Sequence, residues 1–376
     1  MKKILHLACT DIQRVTRIIN AVHCSFLAGF PVDIISSSRK SFNFQNKNIT
    51  NHNIPPLSSN RLIKYLHFFL CCFSWIWNHR GEYEIIHIHT MPDFLVFSAL
   101  PAAKTGKKII LNLHDMFPEL LYDLHPNKIL FKLALFIERK SIQFSNYCIV
   151  VHQEHFNLIK NRSIKNKNSE IILNTFNPDL YKPDIQKKKK STSKTLIYSG
   201  SSSPRFGLDI LIQSVKQLIN QNYDIRLKIL SGGKSIKHLL KIIEKLNLSD
   251  YIEISGDFTN YQNSLQNISL SDIGIVSYRN TTFTNYVLPV KMFEYSYLGL
   301  PVITPRLRTI CNYFPEDSVF YYTPEDITDL TKQLIKCLDN PGLAQQKSHT
   351  AKTIIDNYSW SLDRKKYLKI ISKLTE

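Results

Sequence analysis

What most limits the fold of this chain is an alternation of short apolar runs with helical stretches, which runs once, breaks, and starts again. In the first half, strand-length runs stand at Ile4–Ala8, Val32–Ile35, Ile85–Ile88, Ile109–Leu113 and Cys148–Val151. Continuous rather than alternating apolar runs belong to strands covered on both faces, and helical segments between them imply a parallel sheet wrapped by helices. The segment 177–194, with Pro178, Pro183 and the run Lys187–Lys190, then interrupts the pattern and reads as a linker. The alternation resumes at Thr195–Ser199, Arg226–Leu230, Tyr251–Ser255, Ile273–Ser277, Val302–Thr304 and Val319–Tyr322. A length of 376 residues exceeds one comfortable core, so two α/β domains are expected, 1–176 and 195–358, with a cleft between them. An amphipathic helix at 359–376 has no strand after it. There is no internal repeat.

Composition narrows the function classes. Apolar residues at 43% and charged residues at 21% describe a folded globular chain. The net charge of +18 is uneven: residues 1–190 carry 26 Lys/Arg against 13 Asp/Glu, the remainder 22 against 17. Such a field attracts nucleic acid, anionic membrane or phosphorylated small molecules, or it is simply a solvated surface. The seven cysteines are odd in number, lack C-x-x-C spacing and sit mostly in apolar stretches, so they read as reduced, buried and cytosolic. Asp11 and Arg14 interrupt the first apolar run too early for a signal peptide, which leaves a first buried strand.

Two segments carry chemistry of their own. In Pro289–Ile303, PVKMFEYSYLGLPVI, proline suits a first helical turn and Gly299 a helix end. Lys291 and Glu294, three apart, then share a face near the positive end of that helix. A cation, a carboxylate and free backbone N–H groups suit a nucleotide diphosphate: phosphate on Lys291 and the N–H groups, ribose hydroxyls on Glu294. The alternative is a surface ion pair. The segment Arg61–Asn78, RLIKYLHFFLCCFSWIWN, is dense in apolar and aromatic residues with cations at its start. It is marginal for crossing a bilayer and suits either a helix in the membrane interface or a core helix.

The Pro289–Ile303 segment resembles the P-x-K-x-F-E-Y-x-x-x-G-x-P-V-I signature of family-4 glycosyltransferases of the GT-B fold. Further similarities follow in that family's order. Asp11, Arg14 and Val15 with Gly29-Phe-Pro-Val-Asp-Ile-Ile resemble its opening; Tyr83–Pro92, YEIIHIHTMP, resembles its D-V-I-H-x-H stretch; Lys108–Glu119, KIILNLHDMFPE, resembles the strand and loop that place a histidine beside the reacting sugar. Asn174 precedes the linker as in the family, and Tyr198–Gly207, YSGSSSPRFG, resembles the turn that delivers a phosphate-binding base. The resemblance implies two Rossmann-like doubly wound domains facing each other across a cleft, with the final helix crossing back to the first domain. It implies His114, Asp115 and Glu294 as catalytic residues, and Gly200, Arg205, Lys291, Glu294, Asn285, Val287 and Leu288 as nucleotide-binding ones. His89 and Glu119 either join the sugar site or belong to a turn that caps the next helix.

Three features depart from the pattern. Tyr286 stands eight residues before Glu294, where the family commonly has a second glutamate; Thr10-Asp-Ile-Gln-Arg replaces a Gly-Gly turn; and Phe206 separates Arg205 from Gly207. No D-x-D pair or His/Cys cluster with metal spacing occurs near the motifs, so neither a metal nor a cofactor is expected; the nucleotide-sugar is a substrate. The implied reaction is retaining transfer from a UDP-sugar, favoured over a GDP-sugar, to a saccharide acceptor that is lipid-linked or free. The implied setting is bacterial surface polysaccharide synthesis (O-antigen or capsule), peripheral to the inner face of the cell membrane. The rival readings are a nucleotide-sugar 2-epimerase of the same fold and a basic nucleic-acid- or membrane-binding protein without catalysis. No nucleic-acid recognition motif is present, and no G-x-G-x-x-G follows a first-half strand, which argues against a dehydrogenase.

Overall fold

The computed structural model describes residues 2–39, 44, 46–162, 168–180, 193–257 and 260–376. The Arg14 side chain, Pro183 and the run Lys187–Lys190 of the expected linker lie outside the described residues. The chain forms two compact units, Met1–Asn174 together with Trp360–Glu376, and Thr175–Ser359. The first unit ends two residues before the limit read from the sequence, because Phe176 packs on Tyr297 of the second unit (ring centroids 4.6 Å apart).

In the first unit, β1 (Lys3–Ala8), β2 (Val32–Ser36), β3 (Ile49–Asn53), β4 (Tyr83–His89), β5 (Lys108–Asn112), β6 (Tyr147–Val150) and β7 (Ser169–Ile171) form one parallel sheet. Its order is β3-β2-β1-β4-β5-β6-β7, so the winding direction reverses between β1 and β4. Register there pairs His6 with His87 and Ala8 with His89. The five expected strands are present. The two that were not expected, β3 (ITNHN) and β7 (SEI), are the edges of the sheet. An edge strand has one partner and more solvent, so it needs no apolar run.

The second unit holds β8 (Lys194–Ser199), β9 (Ile225–Leu230), β10 (Ile252–Ile254), β11 (Ile273–Ile275), β12 (Val302–Pro305) and β13 (Phe320–Tyr322). They are all parallel, in the order β10-β9-β8-β11-β12-β13, with the reversal between β8 and β11. In such sheets ligands bind beyond the carboxyl ends of the strands at the reversal.

The final helix, Trp360–Thr375, belongs to the first unit. Trp360, Tyr367, Ile370, Ile371 and Leu374 are buried with Ile4, Ile85, Ile110 and Ile149. Asp363 accepts the Leu173 N–H (2.8 Å), and the Lys366 ammonium donates to the Ile171 carbonyl (3.0 Å). In the helix Arg61–His79, Phe68, Cys72 and Ile76 enter the core, as the core-helix reading expects, while Leu62, Leu66, Leu70 and Trp77 are exposed. No described helix is long and apolar enough to cross a membrane. All seven cysteines are free, and five of them are buried.

Candidate active site

In the second unit the site is built at the carboxyl ends of β8 and β11. Pro289, extended at φ −70° and ψ 127°, caps the helix Val290–Tyr297 one position before the first turn expected of it, and Gly299 follows the helix end at φ +78°. The helix is held down by Tyr295, whose hydroxyl accepts the Ser199 N–H at the end of β8 (3.0 Å). Lys291 and Glu294 are 7% and 6% exposed, which rules out a surface ion pair.

Glu294 accepts a hydrogen bond from the Tyr261 hydroxyl (2.7 Å). Burial pushes its pKa up, against the pull of Tyr261 and Lys291. The Lys291 ammonium has no hydrogen-bond partner among the described residues. It lies 3.7 Å from the centre of the Tyr198 ring and 5.2 Å from that of Tyr278, and burial lowers its pKa to about 7 despite the Glu294 charge. A buried ammonium that faces aromatic rings and has no hydrogen-bond acceptor among the described residues is placed to donate to an incoming anion.

The loop from β8 explains two glycines. Gly200 has φ +146°, and a Cβ there would stand 2.7 Å from the Lys291 Nζ. Gly207 has φ +60°, and its Cβ would meet the Ser277 carbonyl oxygen at 2.1 Å. Arg205 lies between them in the turn Pro204–Phe206, with its guanidinium against the rings of Phe206 and Phe283 and its Nε donating to the Ser203 hydroxyl (3.2 Å). Asn285 shapes the loop after β11: its amide donates to Asn280 and to the Thr281 carbonyl, and its oxygen accepts the Arg308 N–H. Val287 and Leu288, half-buried, lead into Pro289, and the Val287 N–H is already bonded to the Thr284 carbonyl. The structure thus gathers Gly200, Lys291 and Glu294 tightly. Tyr261 and Tyr278, which with Tyr198 contact Lys291 and Glu294, carry no spacing signal in the sequence.

In the first unit the carboxyl ends of β1, β4 and β5 hold a chain of imidazoles. The Ser25 hydroxyl donates to the Ala21 carbonyl (3.2 Å) and is 2.9 Å from His6 Nε2; His6 Nδ1 is 3.0 Å from His89 Nε2; His89 Nδ1 is 3.1 Å from His114 Nε2. All three rings are held neutral, His6 down to about 3, by burial above all. With the Ser25 proton on Ala21, each ring donates through Nε2 and accepts through Nδ1, so His114 is left with a bare Nδ1 as its acceptor. His87, beside them, is bonded through Nδ1 to the Tyr367 hydroxyl.

Nitrogens of His6, His87 and His89 lie within 4.8 Å of one another, the one group among the described residues with the makings of a cation site. Two of those nitrogens already share a proton, no carboxylate completes the set, and the Arg17 charge bears on His89. Asp115 follows His114 and interacts electrostatically with Arg17, a buried cation whose Nε and Nη1 have no hydrogen-bond partner among the described residues. Glu119 does not join the sugar site. It is buried and bidentate on Arg162 (2.6 and 3.2 Å), which also holds buried Glu138 (2.8 and 2.7 Å). Arg162 is 43 residues away, so nothing local in the sequence predicts the pair.

Comparison with known proteins agrees with the fold. Residues 182–354 match the family model described as glycosyl transferases group 1, and residues 27–180 match that described as Glycosyltransferase Family 4. No curated protein matches the sequence. Among solved structures, sucrose-phosphate synthase from Thermosynechococcus elongatus has a TM-score of 0.79 at 13% identity over 99% of both chains. HepE from Anabaena, in complex with UDP-glucose, has a TM-score of 0.75 at 14% identity over 99% of this chain and 100% of that one. WaaG, a glycosyltransferase involved in lipopolysaccharide biosynthesis, has a TM-score of 0.75 at 13% identity over 98% and 99%. At these identities the solved structures show a shared fold.

Proposed function

Since the chain belongs to the family-4 glycosyltransferases of the GT-B fold, we propose that it moves a sugar from a UDP-sugar to a saccharide acceptor on a lipid carrier. The observation that carries this reading is the Lys291–Glu294 pair, buried at a helix start where the second sheet reverses, with the Lys291 ammonium left without a hydrogen-bond partner among the described residues. In the proposed reaction the bond from the anomeric carbon to the nucleotide phosphate breaks. Lys291, Arg205 and helix N–H groups stabilise the charge gathering on the departing diphosphate, without a metal. Glu294 accepts from the ribose hydroxyls, and Asn285, Val287 and Leu288 form the loop wall against the nucleotide. His114 offers its bare Nδ1 to a hydroxyl of the reacting sugar, Asp115 sits beside it, and the acceptor oxygen attacks on the face the leaving group vacates, its proton passing to the departing phosphate oxygen, with retention of configuration. A surface-polysaccharide intermediate at the inner face of a bacterial membrane fits the basic first half of the chain and is the proposed setting.

A thermal-shift panel tests the donor. UDP and UDP-sugars are expected to stabilise the protein, GDP less so, and AMP and NAD not at all, since bound ligand adds RT ln(1 + [L]/Kd) to stability. An NAD shift as large as that of UDP would refute the reading. Glu294→Gln keeps shape but removes charge, and losing a charge-assisted bond of about 1.5–3 kcal/mol should lower kcat/KM roughly ten- to a hundredfold. Unchanged kinetics would remove Glu294 from the site.

A further inference from the structure

Of sixteen large apolar side chains that lie exposed among the described residues, ten fall on three helices of the first unit: five on Arg61–His79, one at the end of Phe117–Leu124 and four on Lys128–Phe144. Single exposed leucines are ordinary; ten gathered on neighbouring helices are not. The same helices enclose a cavity of about 360 Å³. Its lining is apolar, with Ala134, Leu121 and Ile137 among the residues, apart from Arg61, His125 and the Tyr65 hydroxyl. Met91 and Pro92 from the loop after β4, and Phe117, three residues past His114, form one wall. The cavity therefore lies next to the carboxyl ends of β4 and β5, where this sheet is placed to bind ligand.

Charge decides among the possible occupants. The three helices carry Arg61, Lys64, Lys128, Lys132, Arg139 and Lys140. Of their carboxylates, Glu119 and Glu138 are buried on Arg162, leaving Asp123. A second copy of this chain would bring the same cations against these and be repelled. An amphiphile with an anionic head matches both features: hydrocarbon for the cavity, phosphate for the cations around it.

We propose that this cavity takes the hydrocarbon chain of a phosphorylated lipid acceptor, while the helices around it rest on an anionic bilayer. The proposal deepens the lipid-linked acceptor reading and rests on it for the identity of the headgroup. Dodecyl phosphate, below its micellar range, is the probe for the cavity. It should raise the melting temperature well above the effect of inorganic phosphate at equal concentration. Ala134→Phe fills the cavity and leaves every cation in place; it should weaken dodecyl phosphate binding at least tenfold while salt-sensitive binding to vesicles persists. Should that variant fail to fold, Leu130→Ser, on the cavity rim, removes apolar lining without changing the charge and makes the same test.

Trp77 reports on the bilayer contact, because Trp75 is half-buried with its indole N–H bonded to Tyr83, and Trp360 is 4% exposed. Brominated phospholipid in vesicles of equal parts phosphatidylcholine and phosphatidylglycerol should quench Trp77, and part of the quenching should survive high salt. The proposal is overturned if dodecyl phosphate acts no better than inorganic phosphate, if Ala134→Phe binds it like wild type, or if no quenching occurs. Dimerisation that dodecyl phosphate reverses would assign the face to a second copy and overturn it too. The UDP shift, run in parallel on wild type, separates the readings: its loss removes the donor assignment and leaves the cavity result standing.

Discussion

Lys291 is the side chain whose chemistry the fold changes most. Its pKa of about 7 in the folded protein, against 10.5 for a free lysine, means that near neutrality it is only partly charged. A diphosphate placed beside it favours the protonated form, so binding should take up a proton. Above pH 7 the phosphates are already fully ionised, so UDP affinity should fall as pH rises from 7 to 9, approaching tenfold per unit. Titration calorimetry in buffers of different ionisation enthalpy would show the proton uptake, and Lys291→Met should lose both the uptake and the slope. The sign for folding is opposite: between about 7 and 10.5 the unfolded chain binds more protons, so the stability of the free protein should rise with pH across that window. The imidazole chain makes a second residue-scale prediction. Nitrogen-15 spectra should find His6, His89 and His114 all protonated at Nε2, and His6→Phe, which strips His89 of its acceptor, should redistribute the tautomer of His114, two links away.

At the scale of elements, the first unit is tied together by a buried cation. Arg162, at the end of the helix Gln153–Arg162, reaches Glu119 in the first turn of Phe117–Leu124 and Glu138 in Lys128–Phe144. A buried ion pair adds little over a well-packed apolar core, but removing one partner leaves unpaired charge behind. Arg162→Met should therefore cost about 3–5 kcal/mol, lowering the melting temperature of the first unit by on the order of 10 °C. If Glu119 instead acted on sugar, this variant would lose activity before stability, and a scan against kcat would separate the two. Glu138, whose pKa burial already raises, would then be protonated at a higher pH.

For the whole molecule, the closing helix is the element whose loss is felt furthest from its place in the sequence. It completes the first unit from the far end of the chain, burying Trp360, Tyr367, Ile370, Ile371 and Leu374 there. Five such side chains contribute roughly 7–15 kcal/mol as an upper estimate, comparable to the full stability of a domain. A chain truncated after Ser359 should lose the cooperative unfolding transition of the first unit while the second keeps its own. Calorimetry would show one transition in place of two, and limited proteolysis should degrade the first unit first.

Several things were determined by the sequence alone. The nine central strands, and the edges β10 and β13 of the second sheet, show as apolar runs because both faces of a parallel sheet are covered, and the helix after Pro289 shows because proline and glycine mark its ends through backbone geometry. Lys291 and Glu294 were legible since they stand three apart on one helix, whereas Gly200, named through the family resemblance, meets Lys291 only because β8 and β11 are neighbours in the sheet. What had to wait for tertiary structure depends on residues far apart in the chain. The edge strands β3 and β7 have a partner on one side only and so need no apolar run. Glu119 reads like a site carboxylate until Arg162, 43 residues away, accounts for it. His6 and His89 stand 83 residues apart, and only strand order brings them to the proton they share. The segment Arg61–Asn78 kept two readings in the sequence because a helix has two faces, and packing decided which side chains are buried and which are exposed.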